Sequence, residues 1–203
     1  MFNFLNSLVG EVRKMTSFDE STVNNLSEKY FKYLHPANDA FLNVCEQMFS
    51  AKDPVLFSIA TKWIHKRPDI INLDNADTFT QWAEKYVDTN EKCYLYAKNV
   101  LNHLLCKHQK YYKKLIEFSA SINIYLRKLS LETLTTSNGE LTISLNKSLE
   151  LISYLIDDDI LIQETCGKLL LLIKNLNNDT FSRFASKHVL PSIINDIINK
   201  KTL

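Results

Sequence analysis

Four stretches of this chain share one pattern, and that pattern leaves few folds open. Superposed on Asp53, Asn90, Asn123 and Asp159, they recur at intervals of about 35 residues, a period that belongs to stacked helical hairpins. Each anchor is a residue type whose side-chain oxygen accepts a hydrogen bond from an otherwise unpaired amide of a first helical turn. Three residues later stands Leu56, Cys93, Leu126 or Ile162; seven later a small residue, Ala60, Ala97, Ser130 or Cys166; eleven later Ile64, Leu101, Leu134 or Leu170. These positions share one helical face. A small residue at its centre lets a neighbouring helix approach closely, so the pattern describes packing between repeats and not chemistry.

The remaining signals agree on an all-α fold. Glycine (3) and proline (4) are scarce, and the breaks at His35-Pro36, Arg67-Pro68, TTSNGELT and Asn177-Asn178-Asp179 fall between stretches of helical period. They predict about twelve helices in antiparallel pairs, a HEAT-like repeat α-solenoid. The expected organisation is a single domain over 1–203, with divergent N-terminal helices in 1–50 and recognisable repeats in 51–203. A chain of this length buries about 70% of its unfolded surface, so folding requires neither disulfide nor metal.

Composition narrows the function classes. Lysine plus arginine total 24 against 23 acidic residues, a net charge of +1, which gives no global attraction to a phosphate backbone. Cys45, Cys93, Cys106 and Cys166 contain no C-x-x-C pair, so reduced, mostly buried thiols in a cytoplasmic protein are expected, with no metal and no cofactor. The opening MFNFLNSLVGEVRKM has no basic segment before its apolar residues and no small-residue cleavage site after them, so no signal peptide is expected. No apolar run reaches the roughly 20 residues that cross a bilayer. A monomer is the expected state.

The face a curved stack would turn toward a ligand lies five, nine and twelve residues after each anchor. It carries Ser58, Lys62 and His65, then Leu95, Asn99 and Asn102, then Lys128, Glu132 and Thr135, then Glu164, Lys168 and Leu171. Three lysines are offset by two glutamates, whereas a nucleic-acid groove more often shows one sign of charge. Trp63 and Trp82 lie on apolar helix faces and read as core. His103 and His108 are five apart and occupy different parts of a helix, so no shared metal is expected. The cluster Lys107, Lys110, Lys113 and Lys114 with Tyr111 and Tyr112 reads as a solvated helix with apolar lysine stems, a secondary phosphate contact being the alternative.

Two segments carry a family resemblance. LIEFSASINIYLRKLSLETL resembles the leucine-rich helix, short polar turn and W-L-R-R-A-A-type helix of the DNA alkylation repair proteins, HEAT-like repeat glycosylases that remove alkylated purines. SLELISYLIDDDILIQETCGKLLLLI resembles the following helix, acidic turn and F-I-Q-K-A-I-G-W-type motif, with Gln163 and Gly167 matching directly. The resemblance spans residues 50–200. It implies a shallow basic groove in which two tryptophans and an aspartate meet the damaged nucleotide while an arginine fixes a phosphate. Indole faces attract a cationic alkylpurine, and a carboxylate stabilises the sugar cation that forms as the glycosidic bond breaks.

Carried over residue by residue, the resemblance places Lys168 where the second motif has its tryptophan. Lys128 stands where the first motif's second arginine would be, after Arg127, and retains the charge without the bidentate fork. The earlier tryptophan and the aspartate four residues later fall on Asn90 and Tyr94, or on Lys92 and Tyr96 after a shift of two. Neither register supplies an indole or a carboxylate. Asp88 is the candidate for a displaced catalytic carboxylate, with turn and cap bonding as its competing role, while Glu91 takes the place of a residue the family does not use for chemistry. The expectation is therefore a family member without base-excision activity and with no catalytic residue. It would serve as a scaffold for a protein partner or, weakly, for DNA through Lys62, Arg127, Lys128 and Lys168. The alternative is an active glycosylase for N3- or N7-alkylated purines with a rearranged site.

Overall fold

The computed structural model describes residues 3–15 and 19–200; positions 1–2, 16–18 and 201–203 of the expected domain lie outside the described residues. The chain divides into two compact units, Met1–His103 and Leu104–Leu203. The first holds α1 (Asn3–Val12), α2 (Glu20–Phe31), α3 (Asn38–Ser50), α4 (Pro54–His65), α5 (Ala76–Tyr86) and α6 (Asn90–Tyr96). A π-helical turn, Ala97–Leu101, continues α6 into α7 (Asn102–Lys107) across the division. The second holds α8 (Tyr112–Ser119), α9 (Ile124–Glu132), α10 (Leu145–Leu155), α11 (Ile160–Leu176), α12 (Asn178–Ala185) and α13 (Ser192–Asn199). With α6, the π turn and α7 taken as one continuous helix, the described residues contain the twelve helices expected.

Three of the four anchors cap their helices as the residue types require. The Asp53 carboxylate accepts from the amides of Val55 and Leu56 at 2.8 and 3.0 Å. Asn123 accepts from Tyr125 N at 2.9 Å and Asp159 from Leu161 N at 2.9 Å. The fourth cap is Thr89, whose hydroxyl accepts from Lys92 N at 3.2 Å. Thr89 has extended backbone, and Asn90 is already the first helical residue, so the expected cap at Asn90 is displaced by one position. The packing phase does not suffer from the displacement. All twelve positions at three, seven and eleven after the anchors are buried, none more than 6% exposed.

Aromatic side chains organise the core of the first unit. The ring of Phe49 lies 4.9 Å from Phe57, 5.3 Å from Trp82 and 6.0 Å from Tyr96, centroid to centroid, in the tilted and edge-on arrangements that rings favour. The buried polar tips find partners: Trp63 Nε1 donates to Ser27 O at 3.0 Å, and Tyr96 OH donates to Phe79 O at 2.8 Å. Both tryptophans are core, as their positions predicted, with Trp63 wholly buried and Trp82 4% exposed.

In the second unit α8 packs on α9, α10 on α11, and α11 also against α12 and α13. The small residues meet backbone carbonyls, Ser130 within its own helix and Cys166 across to α10. Ser130 donates its hydroxyl to Arg127 O at 2.6 Å, and Cys166 Sγ lies 3.7 Å from Leu155 O. Burial pushes the Cys166 thiol up to about 12. Three of the four cysteines are buried, Cys106 being the exposed one. Between α9 and α10 the TTSNGELT segment doubles back through a bridge of Thr135 to Leu141, and Gly139, at φ +78°, takes the left-handed backbone the reversal needs. No helix among the described residues is long and apolar enough to cross a membrane.

Candidate functional site

The first turns of α2 and α6 and the outer face of α4 enclose a cleft of about 490 Å³ in the first unit. Its apolar surfaces come from Val23, Val55 and Leu95, and its polar groups from Lys62, Glu20, Glu91 and Tyr94. Lys62 Nζ is 3.9 Å from Glu20 Oε1, and the glutamate is 85% exposed. Carboxylates in the first turns of α2 and α6 complement the positive ends of those helices, which accounts for Glu20 and Glu91 without invoking a ligand.

Tyr94, at the position the resemblance assigns to the catalytic aspartate, lines this cleft and is 49% exposed. Lys98 Nζ lies 5.7 Å from its ring centroid. Asn90 is exposed at the start of α6. The shifted register offers no better chemistry, because Lys92 and Tyr96 are both buried. Asp88 is absent from the cleft lining: its carboxylate accepts from Lys92 Nζ at 2.6 Å, which holds that ammonium over the Phe57 ring. Glu91, set aside on sequence grounds, is the carboxylate nearest in sequence to Tyr94 that reaches the cleft. Nothing in the repeat pattern marked Glu20 or Val23, which precede the first anchor.

The rest of the expected ligand face is mixed. Ser58, Lys62 and Leu95 reach the cleft together. Asn99 instead donates to Thr61 Oγ1 at 3.2 Å, and Asn102 is 3% exposed. The π turn holds one more residue per turn than an α-helix and so rotates later positions inward. His103 meets His65 edge-on at 4.5 Å; desolvation, then the charges of Lys62 and Lys66, hold His65 below the ordinary imidazole value. No group of three or more metal-ligating side chains occurs among the described residues.

In the second unit Arg127 and Lys128 stand on α9 and Lys168 on α11. Lys168 is exposed and Lys128 half-buried. Arg127 is committed elsewhere. Its Nε and Nη2 donate to Asp158 Oδ2 and Oδ1 at 2.6 and 2.9 Å, and Nη1 donates to the carbonyls of Ser121 and Ile122 at 2.8 and 3.1 Å. Burial raises the Asp158 carboxyl, but the Arg127 bond and charge and the Asp159 amide outweigh it and leave it below the ordinary value. The lysine cluster at α8 has lost its stacking platforms: Tyr111 and Tyr112 are buried, and Tyr112 OH donates to Lys147 O at 2.8 Å.

A family model described as DNA alkylation repair enzyme matches residues 4–194. The chain belongs to the DNA alkylation repair family. Its fold is also that of a solved structure, a predicted DNA alkylation repair enzyme from Enterococcus faecalis, with a TM-score of 0.77 at 13% identity over 91% of this chain and 86% of the other. No curated protein matches the chain in sequence. Within this DNA alkylation repair chain the motif residues that carry the likeness do structural work. Gln163 Nε2 donates to Asp158 O at 2.8 Å, fixing the acidic turn. At Gly167 an added Cβ would meet Ile197 Cδ1 at 2.8 Å, so the glycine permits α13 to lie against α11.

Proposed function

We propose that this member of the DNA alkylation repair family lacks base-excision activity and acts as a HEAT-like repeat scaffold, a cytoplasmic monomer that engages a protein partner or, weakly, nucleic acid. The observation that carries the reading is the fate of the indoles. The chain has two tryptophans, and both Trp63 and Trp82 are consumed by the core. A cationic purine would meet Asn90, Tyr94 and Lys168 in place of two indole faces and a carboxylate, and a lysine at that place repels the positive base that an indole would attract. The test is incubation of excess protein with alkylated duplex DNA, followed by quantification of freed 7-methylguanine and 3-methyladenine; release no faster than the spontaneous rate is expected.

One observation favours the rival reading of an active glycosylase. Glu91 and Tyr94 line the same cleft, so a carboxylate and an aromatic face do come together there. Base release abolished by Glu91→Gln would establish that site, and release abolished by Asp88→Asn would establish the one expected from sequence.

A further inference from the structure

The second unit carries a groove that the family resemblance does not account for. It runs between α10 and α12, has a volume of about 370 Å³, and shares no residue with the cleft of the first unit. Leu149 and Phe184 form its floor, each only 8% exposed. His188 stacks on Phe184 with centroids 4.3 Å apart and planes 26° from parallel, which extends the flat apolar surface.

Two cations line this side of the groove, Arg183 on α12 and Lys187 in the turn just past its end. Three basic side chains elsewhere on packed surfaces hold carboxylates: Lys62 has Glu20, Lys92 has Asp88 and Arg127 has Asp158. Arg183 has no such partner among the described residues; it reaches only Asp179 O at 3.3 Å and Thr180 Oγ1 at 3.4 Å along its own helix. Among the described residues Lys187 likewise forms no ion pair. The carboxylate in the groove, Glu150, is engaged by hydroxyls, with Tyr112 OH donating at 3.0 Å and Tyr154 OH at 3.4 Å. Asn146 and Ser153 add neutral polar groups on the α10 wall.

We infer that the α10–α12 groove binds an acidic segment of a protein partner, one carboxylate of which pairs with Arg183 and Lys187 while an adjacent apolar side chain lies on Leu149 and Phe184. Charge complementarity selects the anion. The choice of peptide over nucleic acid follows from the apolar floor of Leu149 and Phe184, which a sugar-phosphate strand would leave unused. The inference deepens the scaffold reading and rests on it for the class of partner.

The experiment is a titration of the ¹⁵N-labelled full chain with the blocked peptide Glu-Glu-Leu-Glu-Glu-Phe, its Gln-for-Glu counterpart, and a short oligothymidylate, followed by amide shifts. The acidic peptide should produce saturable shifts confined to residues 146–153 and 180–188. Arg183→Glu or Lys187→Glu, both at exposed positions, should weaken them about fivefold, the scale of an exposed ion pair. The Gln peptide should bind more weakly than the Glu peptide. Tighter saturation of the same amides by oligothymidylate, or no shift in either segment with the acidic peptide, would overturn the inference. Base release from alkylated DNA would sink the scaffold reading alone and leave the groove shifts in place, so the two failures are distinguishable.

Discussion

Arg127 grips both carboxylate oxygens of Asp158, 31 residues further along the chain, and uses its remaining Nη1 donor on the carbonyls of Ser121 and Ile122. The planar fork thus ties the turn before α9 to the turn before α11, a use that suits arginine's rigid donor geometry better than lysine's. Both side chains are mostly covered, 19% and 18% exposed. A phosphate could recruit this guanidinium only by displacing Asp158, so the residue beside the family's phosphate-holding position acts as a brace.

Asp158→Asn should lower the free energy of unfolding by about 2 kcal/mol, the scale for hydrogen bonds to charged groups. The pH dependence has a definite sign. The folded Asp158 carboxyl titrates below its ordinary value of 3.8, so its contribution is complete above that value and is lost as pH falls through the lower folded one. Urea unfolding of wild type should therefore lose more stability than Asp158→Asn as pH falls from ~4 to ~2. Parallel losses in the two proteins would remove the brace from the account.

Gly167→Ala should destabilise the second unit by about 1–3 kcal/mol, the range for overpacking a close contact. The new methyl would stand 2.8 Å from Ile197 Cδ1 and 3.2 Å from Ile197 Cβ. Paired with Ile197→Ala, which removes the nearer atom, the glycine substitution should cost much less than it does alone. A double-mutant cycle by thermal unfolding measures the coupling, and strict additivity would show that α13 moves freely away.

For undamaged duplex DNA the expected dissociation constant at physiological salt is on the order of 10⁻⁴ to 10⁻⁶ M, the non-specific range. Lys62 is shared with Glu20, and Arg127 with Asp158, which engages two of the four cations expected to meet phosphate. Glu132→Lys should tighten the binding and steepen its salt dependence in fluorescence anisotropy. Nanomolar affinity in wild type would contradict this picture.

Much of the fold was legible because burial obeys a period. The apolar and small positions after Asp53, Asn123 and Asp159 predicted which side chains meet, and even the misplaced cap at Asn90 left Cys93, Ala97 and Leu101 in the core. What the period could not show was a departure from itself: the π turn at Ala97–Leu101 turned Asn102 inward. The candidate site was less legible because its groups come together by tertiary packing. The Arg127 to Asp158 pairing needed the complementarity between a basic pair and the IDDD turn to be noticed across two helices. The cleft's Glu20 and Val23 lie before the first repeat, where no anchor phases them, and no sequence pattern marks Arg183 and Lys187 as cations without an ion pair among the described residues.

The wild-type chain is expected to release neither 7-methylguanine nor 3-methyladenine above the spontaneous rate, and Tyr94→Asp alone is expected not to change that. Breaking the glycosidic bond develops positive charge on the deoxyribose, and a preorganised carboxylate stabilises that charge by several kcal/mol because the charge arises only in the transition state. Tyr94 supplies no carboxylate there. An aspartate at 94 would add the carboxylate, and the position is 49% exposed, so the variant should fold. It would still lack what holds the cationic base, since Trp63 and Trp82 remain in the core and Asn90 offers no π face. Single-turnover assays of wild type, Tyr94→Asp, Glu91→Gln and Asp88→Asn separate the cases. Release by wild type that vanishes in Glu91→Gln would make the cleft of α2, α4 and α6 an active site, while activity gained in Tyr94→Asp would show that one missing carboxylate, and not the indoles, had silenced this chain.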